Sequence, residues 1–314
     1  MMQPIRFRMG ASEWGILILL SILWGGSFFF LEVALGELPP LTLVLCRVCL
    51  SALLMVAFMA ITRRTMSKHR GLWPALFLLA ALNNAIPFSL FAYAQTHIAS
   101  GLASILNATT PLWGVIVAHF LTADEKATPA KLAGVSIGIL GVAIMIGGDL
   151  WTRLDGDLTA QLACLVATFS YALAGVYGRR FRTWGVGPLE VATGQLIAAT
   201  VLILPLALLI ETPWHLPFPG TQTLLALGGL ALLSTTVAYF LYFSLIQRAG
   251  ATNALLVTLL IPATAILLGT LVLGEVLRPR HWAGMAFIAA GLAAIDGRLF
   301  DRFRRRPVGP AQTG

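Results

Sequence analysis

The chain has 314 residues, 58% of them hydrophobic and 11% charged, with a mean hydropathy of +0.86. A soluble domain is about 45–50% apolar and about 25% charged, so no water-soluble core could hide this surplus, and lipid must serve as the solvent. The net charge of +8, from 21 Lys and Arg against 13 Asp and Glu, does not point to nucleic acid. The basic residues lie in short loops and at the two ends, the pattern that orients a membrane protein.

A helix needs roughly 20 apolar residues to cross a hydrocarbon layer of about 30 Å. Ten runs fit: 14–35, 39–61, 73–94, 101–121, 132–148, 158–177, 188–210, 223–246, 254–273 and 282–295. They are long and lack the period-two alternation of barrel strands, which predicts helices. The connections leave no room for a soluble domain. The first run exceeds the apolar stretch of a signal peptide and no small-residue cleavage site follows it, so it reads as a retained helix.

Orientation follows from the Lys and Arg residues on each side. Seventeen of the 21 fall in the N-terminal segment, the even-numbered loops and the C-terminal segment; only Arg153, Arg278 and Arg280 fall opposite, and Arg47 lies inside a span. Both termini are therefore expected in the cytoplasm. The tail 301–314 reads as a disordered basic cytoplasmic end. Cys46, Cys49 and Cys164 sit in apolar runs as small packing residues.

The two halves of the chain repeat each other. Pro40, Leu41 and Arg47 correspond to Pro188, Leu189 and Gln195 at an offset of 148. At an offset of 151, Asn84, Phe88 and Phe91 correspond to Thr235, Tyr239 and Tyr242, and Ala103, Asn107 and Pro111 to Ala254, Thr258 and Pro262. Glu125, Ala133, Gly134 and Gly141 then match Glu275, Ala283, Gly284 and Gly291 at 150. Five spans per half is an odd number, so the second copy enters the membrane inverted. Inverted repeats are the recurring plan of secondary transporters, whose halves rock around a midplane site.

The Leu23 to Gly26 segment, the Pro40 to Arg47 opening, the Gly101 to Pro111 segment, the Gly274-Glu275 turn and the Ala283-Gly284 to Gly291 spacing carry a resemblance. In their order and duplication they resemble the drug/metabolite transporter superfamily, closest to its EamA-type branch, over about residues 14 to 297. The resemblance implies an all-α membrane protein of ten helices in two EamA repeats, 1–150 and 151–300. It implies a central cavity lined mainly by spans one, three, four, six, eight and nine, with five and ten at the edge. It also implies export of amino acids, other metabolites or drugs. Many members carry a Lys near the end of the first span, where this chain has Glu32.

Polar groups at membrane depth are costly and usually face a cavity or one another. Arg47 lies about 12 Å into its span at ~1.5 Å per residue, and Glu32 lies at a compatible depth in the preceding antiparallel span. An ion pair is expected between them, acting as a gate or coupling site, or as a static structural pair; the other structural reading bonds Arg47 to helix carbonyls. Asn84, Pro87, Phe88, Phe91 and Gln95 recur at spacings of three and four along one face, flanked by Asn83. Thr235, Tyr239 and Tyr242 repeat that stripe in the eighth span. The two stripes suit a small zwitterion or an aromatic core whose polar groups bond neighbouring helices. Ser100, Ser104, Asn107 and Pro111 align in the fourth span, and Asn253, Thr258 and Pro262 in the ninth. The two prolines predict a matched pair of kinks serving as a gate. Trp24 and Tyr171 are further aromatic candidates, or packing residues. Gly134, Gly138, Gly141, Gly284 and Gly291 predict close helix packing in spans five and ten.

The sequence lacks an HExxH motif, an intramembrane Asp pair, and metal-spaced grouping of His69, His97, His119, His215 and His281. An embedded enzyme is therefore disfavoured, and no catalytic residue, metal or cofactor is assigned. A P-loop and a pore filter are likewise missing from the sequence. The reading that remains is a secondary carrier of the cytoplasmic membrane exporting a small molecule, an amino acid first, with drugs, sugars and nucleotide sugars as alternatives.

Overall fold

The computed structural model describes residues 10–123, 126–146, 156–249 and 257–296. The expected tail 301–314, Glu125, Arg153, Asn253 and the start of the ninth predicted span lie outside them. The described residues form ten long helical segments, a short 3-10 turn at Pro213–His215 and no strand. These are α1 (Ala11–Leu35), α2 (Pro40–Ile61), α3 (Leu72–Gln95), α4 (Ser100–Leu121), α5 (Pro129–Ile146), α6 (Gly156–Thr183), α7 (Pro188–Glu211), α8 (Thr221–Ile246), α9 (Val257–Val272) and α10 (Pro279–Asp296). Pro opens α2, α5, α7 and α10, a position where the missing N–H would be unpaired anyway and the fixed φ already suits a helix.

Seven of the helices, α1 to α4 and α6 to α8, are long and apolar enough to cross a membrane. α5 and α9 are shorter apolar helices. The chain is an all-α membrane protein, and its large side chains accordingly point outward as well as inward. Leu209 and Leu271 are about 80% and 79% exposed, as suits residues whose neighbour is lipid. The core between the helices is small and aliphatic, with Leu17, Leu20, Leu43, Met55, Ile105, Leu196 and Ile203 fully buried.

Packing is reciprocal between the two halves. α1 lies against α8 and α9, α6 lies against α3 and α4, and α2 and α7 pack on each other. α5 and α10 form the most extensive helix pair. A Cβ added to Gly141 of α5 would lie 2.7 Å from the carbonyl oxygen of Gly284 and 2.8 Å from Phe287 Cβ. A Cβ on Gly291 of α10 would strike the carbonyl of Gly134. Gly134 and Gly141 are the repeat counterparts of Gly284 and Gly291, so each contact is the other with the halves exchanged. The crossing therefore runs antiparallel about a local pseudo-two-fold, as in an isologous interface. The expected close packing of spans five and ten is what the structure shows, and the two helices pair with each other.

Carboxylates tie helix starts to distant helix ends. Glu211, at the end of α7, accepts from Leu41 N at 2.9 Å and Thr42 N at 2.6 Å in the first turn of α2. Glu275 accepts from Ser100 N at 2.7 Å and Gly101 N at 3.0 Å at the start of α4. Glu37 accepts from Gly220 N at 2.6 Å just before α8, and Glu190 from Ser67 N at 2.7 Å. A helix start leaves N–H groups unpaired and carries partial positive charge, so a carboxylate satisfies both. Gly274 adopts φ +68°, a left-handed conformation that glycine takes without steric penalty. That turn delivers Glu275, whose carboxylate lies against Gly269, where any side chain would collide with it.

Two consequences are measurable by thermal unfolding of the purified protein in detergent. Glu275→Ala leaves the two N–H groups at the start of α4 without their acceptor and should cost about 1–3 kcal/mol; Glu275→Gln, which keeps one acceptor oxygen, should cost less. Gly141→Leu should destabilise by about 1–3 kcal/mol through overpacking at the α5 and α10 crossing. A melting temperature equal to that of the parent chain in either Glu275→Ala or Gly141→Leu would contradict the corresponding contact.

Candidate functional site

α3 and α8 depart from regular helix at matching places. Residues Ala81–Ala85 in α3 and Gly229–Val237 in α8 wind as π-helix. Asn84 and its repeat counterpart Thr235 fall inside these two segments. In α3, Pro87 lacks the N–H that would bond Asn83, and Ile86 N reaches back to Ala81 O in the wider register. In α8, hydroxyls serve instead. Thr235 Oγ1 donates to Leu230 O and Thr236 Oγ1 to Ala231 O, both at 2.8 Å and both five residues back. Such single-turn widenings cluster at functional sites because they re-aim side chains.

The re-aimed side chains meet at the centre. Arg47 of α2 is 8% exposed, and its Nε donates to Thr235 Oγ1 at 3.1 Å. Its guanidinium carbon stands 3.9 Å above the centroid of the Phe88 ring. Asn84 Nδ2 donates to the Tyr239 hydroxyl at 3.3 Å, and Asn83 Nδ2 donates to Gln195 Oε1 at 3.0 Å. Gln195 is the counterpart of Arg47, so the α7 to α3 link is the α2 to α8 link with the halves exchanged.

The aromatic contacts repeat the same exchange. Trp24 of α1 and Tyr242 of α8 have ring centroids 5.3 Å apart. Tyr171 of α6 and Phe91 of α3, the counterpart of Tyr242, are 6.3 Å apart and stacked. Phe91 also meets Phe28 edge-on at 5.6 Å, and Tyr239 lies 6.0 Å from Phe243. The hydroxyls of Ser234 and Ser170 donate, each at 2.7 Å, to Leu23 O of α1 and Leu82 O of α3. α1, α3, α6 and α8 are thereby held around one polar and aromatic centre.

The structure thus brings Trp24, Asn83, Asn84, Phe88, Phe91, Tyr171, Thr235, Tyr239 and Tyr242 together with Arg47. It places other expected residues elsewhere. The ion pair between Glu32 and Arg47 does not form. Glu32 Oε2 accepts from Gln95 Nε2 at 3.0 Å, and the same amide nitrogen donates to Phe28 O at 2.9 Å. Glu32 and Gln95 therefore make a local clasp between the ends of α1 and α3, while Arg47 turns toward α8. Equal depth on neighbouring helices does not put two side chains on facing sides.

The two prolines sit in unlike backbone. α4 is interrupted between Asn107 and Thr110, just before Pro111, and Thr110 Oγ1 donates to Asn107 O at 2.8 Å. That carbonyl is the one Pro111 leaves without its usual N–H. α9 continues past Pro262 without a break. Pro262 lines a lateral apolar groove of about 390 Å³ with Ile105, Leu267, Trp282 and Met285. Asn107 and Thr258 are half-buried.

Sequence reasoning passed over Gln195, Ser51, Ser170 and Ser234 as site residues. Ser51 Oγ donates to Arg47 O at 2.7 Å and lies 3.2 Å from Ala231 O, a carbonyl in the widened turn of α8. The available signal for Gln195 was its repeat position, since a counterpart of a buried Arg needs a polar partner too.

A sequence profile of the EamA-like transporter family matches the chain twice, over residues 13–147 and 158–295. The chain is 27% identical to the uncharacterized inner membrane transporter YedA of Escherichia coli, over 93% of this chain and 92% of that one. It is 26% identical to a probable amino-acid metabolite efflux pump of Escherichia coli, over 88% of this chain and 93% of the pump. It is 27% identical to a pump so described in Salmonella typhimurium, over 88% and 91% of the two chains. A solved crystal structure superposes on 93% of this chain and 99% of its own with a TM-score of 0.66 at 19% identity, a likeness of fold. Matched twice along most of its length and built around a centre both halves supply, the chain belongs to the EamA-like family of the drug/metabolite transporter superfamily, and is a multi-pass inner-membrane transporter, not an enzyme.

Proposed function

We propose that the chain exports small metabolites, amino acids foremost, from the cytoplasm by alternating access through the centre shared by α1, α3, α4, α6, α8 and α9. The observation that carries this reading is the reciprocal construction of that centre. Arg47 of α2 bonds Thr235 of α8 while its counterpart Gln195 of α7 bonds Asn83 of α3, the neighbour of Asn84, and Trp24 meets Tyr242 as Tyr171 meets Phe91. Two halves that contribute equivalent contacts can exchange roles by rocking, opening the centre to one side and then the other. The repeats occupy 1–150 and 151–300 in this reading and enter the membrane in opposite orientations. The antiparallel glycine crossing of α5 and α10 supports the inversion, and the Lys and Arg distribution puts both termini in the cytoplasm.

Amino acids are favoured by the chemistry of the lining. The site combines aromatic walls with a guanidinium, two amides and hydroxyls, and Asn84 Oδ1 is a buried acceptor without a donor. The two relatives described as probable amino-acid metabolite efflux pumps point the same way.

The test is counterflow in proteoliposomes with a panel of radiolabelled amino acids, with and without a pH gradient. The parent chain should exchange a subset saturably. Loss of a binding hydrogen bond or ring costs about 1–3 kcal/mol, so Asn84→Ala, Asn107→Ala, Tyr239→Ala and Tyr242→Ala should each lower exchange at limiting substrate by about 5- to 100-fold while remaining folded. Four variants exchanging like the parent would remove this site. A folded parent chain silent across the panel would move the substrate to drugs or other metabolites.

A further inference from the structure

We infer that Arg47 is the anchor for a carboxylate on the transported molecule, so that the substrate class is small carboxylates with the amino acids among them. This rests on the transport reading above and specifies the chemistry of its site. A guanidinium in mid-span is costly and is ordinarily paired with an acid. Among the described residues Arg47 has no carboxylate within ion-pair distance, since the nearest expected partner, Glu32, is held by Gln95. Only Nε is committed, to Thr235. The two Nη groups make no hydrogen bond to any described residue, and they are not among the polar atoms sealed inside the protein without a partner. They therefore keep some accessible surface, although Arg47 as a whole is only 8% exposed.

The surroundings hold the guanidinium in place without neutralising it. Asn84 and Phe88 are one turn apart on α3, and Thr235 and Tyr239 are one turn apart on α8, so each pair shares a face. Arg47 donates to Thr235 and stacks on Phe88, and Asn84 donates to Tyr239. The five residues thus close a ring. Ser51, one turn further along α2, gives its hydroxyl proton to the Arg47 carbonyl at 2.7 Å, with the Ala231 carbonyl of α8 3.2 Å away. The planar fork is pinned by its face and by Nε, leaving the paired Nη edge to donate to the two oxygens of a carboxylate side by side. That geometry suits a planar, doubly accepting anion better than an amide, an ester or an amine. The repeat counterpart, Gln195, is neutral and already bonded to Asn83. The centre therefore has one charged end, and a substrate is oriented in it rather than bound either way round.

The experiment is counterflow with the full chain in proteoliposomes, loaded with whichever labelled amino acid it exchanges. The free acid, its carboxamide, its methyl ester and the decarboxylated amine compete from outside. The acid should compete at least about tenfold better than the other three, the scale of one charge-assisted bidentate contact. In Arg47→Gln the acid should lose that advantage and fall to within about threefold of the carboxamide, with Arg47→Lys intermediate because a point charge lacks the fork. Arg47→Gln that keeps the tenfold preference overturns the assignment. Should Arg47→Gln fail to give a monodisperse protein, the parent chain decides, since equal competition by acid and carboxamide overturns it alone. If no amino acid is exchanged, the amino-acid reading fails but the anchor is still tested, with benzoate and propionate against benzylamine and propylamine. Preference for the acids sustains the anchor; preference for the amines ends it.

Discussion

Inside a bilayer there is no water to complete a hydrogen bond, so each polar group at depth must find a partner within the protein or face an enclosed wet space. The fold follows from meeting that constraint across the two halves. Arg47, Ser51, Asn83, Asn84, Gln195, Ser234 and Thr235 would each be a liability on an isolated helix. Each finds a partner on another helix, and these links join one half to the other. Pairing across the repeats positions the helices that line the centre, while apolar packing against lipid has no comparable direction. The groups left with open valences are then confined to a few places, the Nη edge of Arg47 foremost.

Backbone irregularity is part of the same construction. A regular α3 would carry Asn84 about one residue's rotation away from its observed direction, and a regular α8 would do the same to Thr235. The π-turns are maintained by different means, a missing N–H at Pro87 in α3 and a pair of threonine hydroxyls in α8. Equivalent geometry from unlike residues indicates that the bent backbone, rather than a particular side chain, is the shared feature of the repeats. The carboxylate caps at α2 and α4 work on the helix ends. Glu211 and Glu275 each close two N–H groups from a distant helix end, so the starts of α2 and α4 are tied by charge-assisted bonds to chain far away in the sequence.

Much of this was legible in the sequence because bilayer thickness imposes length on apolar runs. Each of the ten runs has its helix, and the glycines of α5 and α10 announced close helix packing, though not that the two helices pair with each other. α6 extends to Thr183, beyond the apolar run that stops at 177, because Arg179, Arg180 and Arg182 continue the helix, with the Arg180 guanidinium over the Tyr177 ring. Hydropathy marks where lipid ends, and helices do not stop there. The π-turns were hidden because a spacing of three and four assumes an even helix; Pro87 and the Thr235-Thr236 pair were the signals. The Glu32 and Arg47 pairing went wrong for a related reason. Depth along a helix can be counted from sequence, but the direction a side chain faces depends on neighbours hundreds of residues away in the chain.

The central claim is that one site, built by both halves, faces the two sides of the membrane in turn. It is tested most directly by placing a single cysteine at Tyr242, in a chain whose three native cysteines are replaced by alanine. Its reaction with a membrane-impermeant thiol reagent is then measured from either side, with and without an exchanged substrate. The account predicts labelling from both sides, each slowed when substrate occupies the centre. Labelling from one side alone, under every substrate condition, would contradict it.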